Sequence, residues 1–171
     1  LAGECPLPPG APHEKRVKTN AMRLLDRAHI PYRTSEYEYD EKDLNGMHAA
    51  EQTGMPPEQV FKTLVARGER SGLLVFCIPV CCELDLKKAA QAAQEKKVEL
   101  VHVRELLELT GYLRGGCSPV GMKKQFPTYI DETAVLYEEI AVSAGIRGCQ
   151  MLLAPQRLID YVHMIPADLS I

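Results

Sequence analysis

A fourteen-residue stretch, Gly111–Lys124, gathers four glycines, one proline and three basic residues. Glycine lets the main chain approach a ligand and adopt dihedrals closed to other residues. Pro119 stiffens the bend and drives Ser118 toward extended geometry. Bare N–H groups in such a turn can cradle an anion or a developing oxyanion. Taken alone, a long turn without chemistry is the simpler reading. The stretch becomes informative only beside other reactive residues.

Lys62 is a charge inside the apolar run Val60-Phe61-Lys62-Thr63-Leu64-Val65. Facing solvent it would be inert. Facing a pocket it could hold a phosphate, a leaving hydroxyl or a carbonyl. Cys117 and Ser118 are nucleophiles by type, but each needs a base within hydrogen-bond reach. The histidines, His13, His29, His48, His102 and His163, are scattered and suggest no triad. Cys77, Cys81 and Cys82 lie on or just after an apolar strand, where successive side chains point to opposite faces. No second cysteine or histidine pair at zinc spacing follows. Buried small thiols are the expected state, and neither a metal nor a cofactor is expected.

The 171 residues fit one domain, here 14–171, with a real core. A net charge of −3 and a pI near 6.0 argue against a self-sufficient nucleic-acid binder, and a DNA partner is not expected. With no Trp, and few Phe or Tyr, a base-stacking platform is not expected either. No apolar run has the length of a membrane span. Leu1–His13 is proline-rich, lacks a signal-peptide core and reads as a flexible tail. Six cysteines without scaffold density fit reduced thiols in the cytoplasm.

The elements that must position these residues follow from periodicity. Val17, Ala21, Leu24, Leu25 and Ala28 predict a helix over Glu14–Ile30. Tyr32–Tyr39 alternates as a strand. A short helix follows Glu41, with Gly54 as its cap, and a helical turn follows at Pro57–Val60. Phe61–Arg67 and Leu73–Val80 read as an antiparallel pair, the second strand central. Asp85 caps a helix to about Gln94. Val98–His102 is extended, and Val103–Leu109 is helical and closed by Gly111. Strands are expected at Thr128–Asp131, Ile140–Ser143 and Gln150–Leu153, and Pro155 opens a final helix. The order is not steady βαβ alternation. It predicts an α+β fold, with a mixed, largely antiparallel, barrel-like sheet surrounded by helices.

Several segments together carry a family resemblance: Tyr37-Glu38-Tyr39-Asp40, Gln59–Leu64, Leu84–Lys88, Gly111–Lys124, Pro127–Asp131 and Val142–Gly148. From about Lys18 to Leu169 the chain resembles the YbaK/EbsC family of aminoacyl-tRNA editing proteins, relatives of the editing domain of bacterial prolyl-tRNA synthetases. The family's Gly-x-x-x-Pro signature falls on Gly115 to Pro119.

The resemblance implies a deacylase that clears cysteine from proline tRNA. In that chemistry the substrate thiol attacks its own ester, so the protein aligns groups and stabilises an oxyanion. Carried over, main-chain N–H groups around Gly115 and Gly116 face the carbonyl, with Ser118 beside them and Pro119 fixing the loop. Lys62 holds the terminal adenosine or polarises the ester. Tyr37 and Thr63 line the pocket, and Ser143 and Gly145 contact the aminoacyl group. The implied partners are the 3′ end of aminoacyl-tRNA and prolyl-tRNA synthetase. Two departures bear on specificity. Gln150 stands where YbaK has an acidic residue, and Leu44 or Asn45 replaces a pocket phenylalanine. They leave open an editor of another small amino acid, such as alanine, using water. A non-catalytic regulatory protein that keeps the fold is a further alternative.

Overall fold

The computed structural model describes residues 18–171. The expected tail, Leu1–His13, and the first residues of the expected opening helix lie outside them. Helix α1 spans Asn20–Arg27, and at residues 18 and 19 the chain is not helical. Thr19 sets this start: it is extended, and its hydroxyl accepts the Met22 N–H at 3.2 Å. β1 (Arg33–Glu36) is shorter than the expected Tyr32–Tyr39 strand. Beyond it the Tyr37 N–H donates to the Gly148 carbonyl at 2.9 Å, and the chain turns at Asp40.

Asn45 caps α2 (Gly46–Thr53), which ends on Gly54 at φ +72°. A 3-10 turn at Pro57–Gln59 leads into the hairpin of β2 (Phe61–Gly68) and β3 (Gly72–Pro79), paired along its full length. The Asp85 carboxylate accepts the Lys87 and Lys88 N–H groups and starts α3 (Leu86–Ala92). Then come β4 (Val98–Leu100), a 3-10 turn at Val103–Glu105, and α4 (Leu106–Thr110), closed by Gly111 at φ +88°. After the glycine-rich stretch follow β5 (Thr128–Asp131), β6 (Ile140–Ser143), β7 (Cys149–Leu153), α5 (Pro155–Val162) and β8 (Ile165–Ala167).

The fold is α+β, and its strands divide between two sheets. One is antiparallel, in the order β1-β7-β6; the other is mixed, in the order β4-β2-β3-β5-β8. A parallel bridge from Val60 to Ala141 joins them. β3 is central, as expected, but its second neighbour is parallel β5, and β5 pairs in parallel with β8. The glycine-rich stretch therefore belongs to the crossover that brings β5 beside β3. β8 has no counterpart among the expected strands. It is short and carries Pro166, which an edge position tolerates.

Alternation along the hairpin fills two cores. Phe61, Val65, Val75 and Cys77 pack with Ile140, Val142, Met151 and Leu153 of the second sheet. Ala66, Leu74, Phe76 and Ile78 pack with Ala89, Ala90 and Ala93 on the opposite face. Small alanines let α3 lie close to the sheet. Phe76 and Tyr129 stack there at 5.4 Å between centroids. Buried Asp131 ties the end of the chain down. Its Oδ1 accepts the Leu169 N–H and the Ser170 hydroxyl, each at 3.1 Å, while Oδ2 accepts from Thr133.

Candidate functional site

A cleft of about 730 Å³ is bordered by β2, the loop leading into α2, the segment after β4, the glycine-rich stretch and the facing strands β6 and β7. It brings together Tyr37, Lys62, Thr63, Gly115 and Ser143, residues far apart in sequence. Lys62 has no ion pair among the described residues. Thr63 stands 3.6 Å from the Cys77 sulfur. Burial raises the Tyr37 phenol above its ordinary value, with the Gly148 main chain pulling the other way.

The remaining expected residues stand behind this wall. Ser118 is fully buried, and its Oγ accepts the Val120 N–H at 3.2 Å. That bond holds the bend together and leaves the hydroxyl away from the cleft. Pro119 is buried beside it. Gly145, at φ +100°, backs onto Tyr112, whose ring carbon would lie 2.9 Å from an added Cβ. Gly116 presses against the second glycine turn, where an added Cβ would meet the Arg147 nitrogen at 3.0 Å. The Gly116 N–H donates to the Leu113 carbonyl at 3.0 Å and so is not free for a substrate carbonyl. On either side of it, the Gly115 and Cys117 N–H groups have no acceptor among the described residues. Cys117 is buried, and buried N–H groups without acceptors are rare. Gly115 is exposed, so its N–H is open to water, and the buried Cys117 N–H is the one that lacks a partner beside the cleft.

Cys117 borders the cleft, but burial pushes its thiol up to about 12, against a weaker opposing hydrogen bond to Thr110. At neutral pH it is a thiol, not a nucleophilic thiolate. Gln150 also borders the cleft, 6% exposed, and its Oε1 has no hydrogen-bond partner. The sequence marked Gln150 only as a departure from a family pattern. The Cys117 N–H was hidden, because composition does not show which amides a turn satisfies internally. Among the described residues, no group of three or more His, Cys, Asp or Glu could hold a metal. A second groove, of about 680 Å³, lies along α1 and β1 and contains none of the expected residues. Its Lys18 is paired with Asp26 at 2.6 Å.

Two sheets frame a cleft that gathers a lysine without an ion pair and part of the glycine-rich stretch among the described residues. The aminoacyl-tRNA editing domain model matches residues 47–161. The chain is 48% identical, over 90% of its length and 93% of the relative's, to "Putative Cys-tRNA(Pro)/Cys-tRNA(Cys) deacylase EbsC" of Enterococcus faecalis. A crystal structure of a "putative trans-editing enzyme for prolyl tRNA synthetase" is 27% identical with a TM-score of 0.75, covering 88% of this chain and 96% of that one. A second, of a hypothetical protein, has a TM-score of 0.79 over 87% of this chain and 97% of that one. At 21% identity it speaks to the fold alone. The chain belongs to the YbaK/EbsC family of aminoacyl-tRNA editing proteins.

Proposed function

We propose that this protein is a deacylase that removes cysteine from mischarged proline tRNA, using the substrate's own thiol. The observation that carries this reading is the pairing of free Gly115 and Cys117 amides with a thiol held protonated beside them. Such a wall stabilises charge and supplies no nucleophile. The substrate sulfur attacks the ester carbonyl carbon and its proton leaves. The carbonyl oxygen becomes an oxyanion received by the two amides. On collapse the C–O bond to ribose breaks, the ribose oxygen takes a proton, and a cyclic thiolactone departs. Lys62, bordering the same cleft without an ion pair, stabilises the ester end or the terminal nucleotide.

Gln150 favours a second reading, an editor of another small amino acid that uses water. Its neutral amide grips an ammonium less firmly than a carboxylate would. A panel of aminoacyl-tRNAs separates the two. Cysteinyl-tRNA cleaved far faster than alanyl- or seryl-tRNA, with thiolactone as product, supports the thiol route. Equal cleavage of alanyl-tRNA, with free amino acid as product, supports water. Cleavage of none favours a binding role. The same panel with added prolyl-tRNA synthetase tests that partner. A cytoplasmic site of action, where charged tRNA is found, completes the proposal.

A further inference from the structure

The two glycine turns meet through main chain behind the cleft wall, and an arginine pins them together. Arg147 Nε donates to the Arg114 carbonyl at 2.8 Å. This fixes the Arg147 guanidinium while leaving its other N–H groups unengaged. Neither arginine has a carboxylate within 4.0 Å among the described residues. Arg114 is exposed and borders the cleft that also holds unpaired Lys62. An arginine seated on the main chain of a second arginine, neither of them ion-paired among the described residues, stands out in a chain of net charge −3. Glu41 and Asp43 border the same cleft from the loop before α2, so it carries carboxylates as well as cations.

We propose that Arg114 and Arg147 seat a backbone phosphate of the single-stranded RNA end whose terminal ester occupies the cleft. This rests on the deacylase reading above. A guanidinium is planar, stays charged and matches phosphate oxygens with paired N–H groups. An ester on a terminal nucleotide brings its own phosphodiester chain with it, so an anion near the ester is built into the substrate.

The test compares aminoacyl-adenosine, which has no phosphodiester, with an aminoacylated oligonucleotide ending in CCA. Arg114→Ala keeps the carbonyl that holds Arg147, so the loop bond survives in that variant. In Arg114→Ala and in Arg147→Ala, kcat/KM for the oligonucleotide falls about tenfold more than for aminoacyl-adenosine. The slope of log kcat/KM against log salt for the oligonucleotide becomes shallower by about 0.7 for each phosphate charge no longer neutralised. Arg147→Lys restores part of that slope. An unchanged ratio and slope would overturn the phosphate seat. If the native protein cleaves neither ester, the deacylase reading fails instead. The uncharged oligonucleotide, measured by anisotropy with the same variants, then decides the seat by the same loss of affinity and of salt slope.

Discussion

Ser143 and Gln150 stand directly opposite one another on β6 and β7, and both border the cleft. The Ser143 Oγ accepts the Gly145 N–H at 3.1 Å. Gln150 Oε1 accepts nothing. A buried polar atom without a partner costs about 1–3 kcal/mol. The terminal torsion of glutamine has two broad minima, so the amide can turn its oxygen to a donor brought by substrate. The amino group of an aminoacyl ester is such a donor. Gln150→Leu is therefore expected to hold or raise thermal stability while lowering kcat/KM about tenfold. Melting and single-turnover deacylation, measured on the same preparation, check the two halves. A fall in both would make Gln150 merely structural.

Lys62→Ala is expected to lower kcat/KM by roughly a hundredfold, the range for losing a charged donor in a closed site. Stability should hardly move, because no ion pair is lost among the described residues. Steady-state kinetics and denaturant unfolding are the measurements. Native-like turnover would remove Lys62 from the reaction.

Cys117 is expected to resist alkylation. A thiol pushed up to about 12 from 9.0 carries roughly a thousandth of the usual thiolate near neutral pH. Mass-spectrometric mapping after iodoacetamide should find it unmodified in the folded protein and modified in urea. Fast labelling when folded, or a burst of acyl-enzyme with cysteinyl-tRNA, would restore it as a nucleophile.

Glu95 gives the hairpin a pH dependence. Its carboxylate accepts the Ser71 hydroxyl at 2.8 Å, and the Ser71 and Arg70 N–H groups at 2.7 and 3.0 Å. These bonds, the Ser71 hydroxyl first, hold its carboxyl below the ordinary value. A depressed folded value means stability that is present above the ordinary carboxylate range. It is lost as pH falls through the folded value. Glu95→Gln should flatten the dependence of Tm on pH between about 3 and 6. An unchanged curve would show that other carboxylates dominate acid unfolding.

Asp131→Ala is expected to cost about 3 kcal/mol, since it strips the partner from the buried Leu169 N–H and from the half-buried Thr133 and Ser170 hydroxyls at once. Hydrogen exchange should locate the damage at the Leu169 amide before global unfolding. Uniform loss of protection would argue against a local anchor.

Much of this fold was legible because its punctuation is local. Asp85, Gly54, Gly111 and Pro155 each act within one turn of chain, and each marks a helix end in the structure. The division into two sheets and the parallel neighbour of β3, β5, were not legible, because no local pattern encodes which distant strand arrives alongside. Thr19 was readable as a cap but was overshadowed by the apolar stripe running through Val17. In the candidate site, Lys62 stood out as a charge in an apolar strand. Ser118 and Gly145 carried the same signal as Gly115, and only packing separates a residue that borders the cleft from one that supports it. Glycine content measures where the main chain can come close, but not to what.

The crossover that carries Gly111–Lys124 between β3 and β5 bears on biogenesis. Lys62 is made first, the glycine-rich stretch after it, and Ser143 and Gln150 last. No stretch of nascent chain short of β7 contains a whole cleft, and long-range closure of this kind is slow to form. A chain truncated before β7 is thus expected to be inert toward charged tRNA.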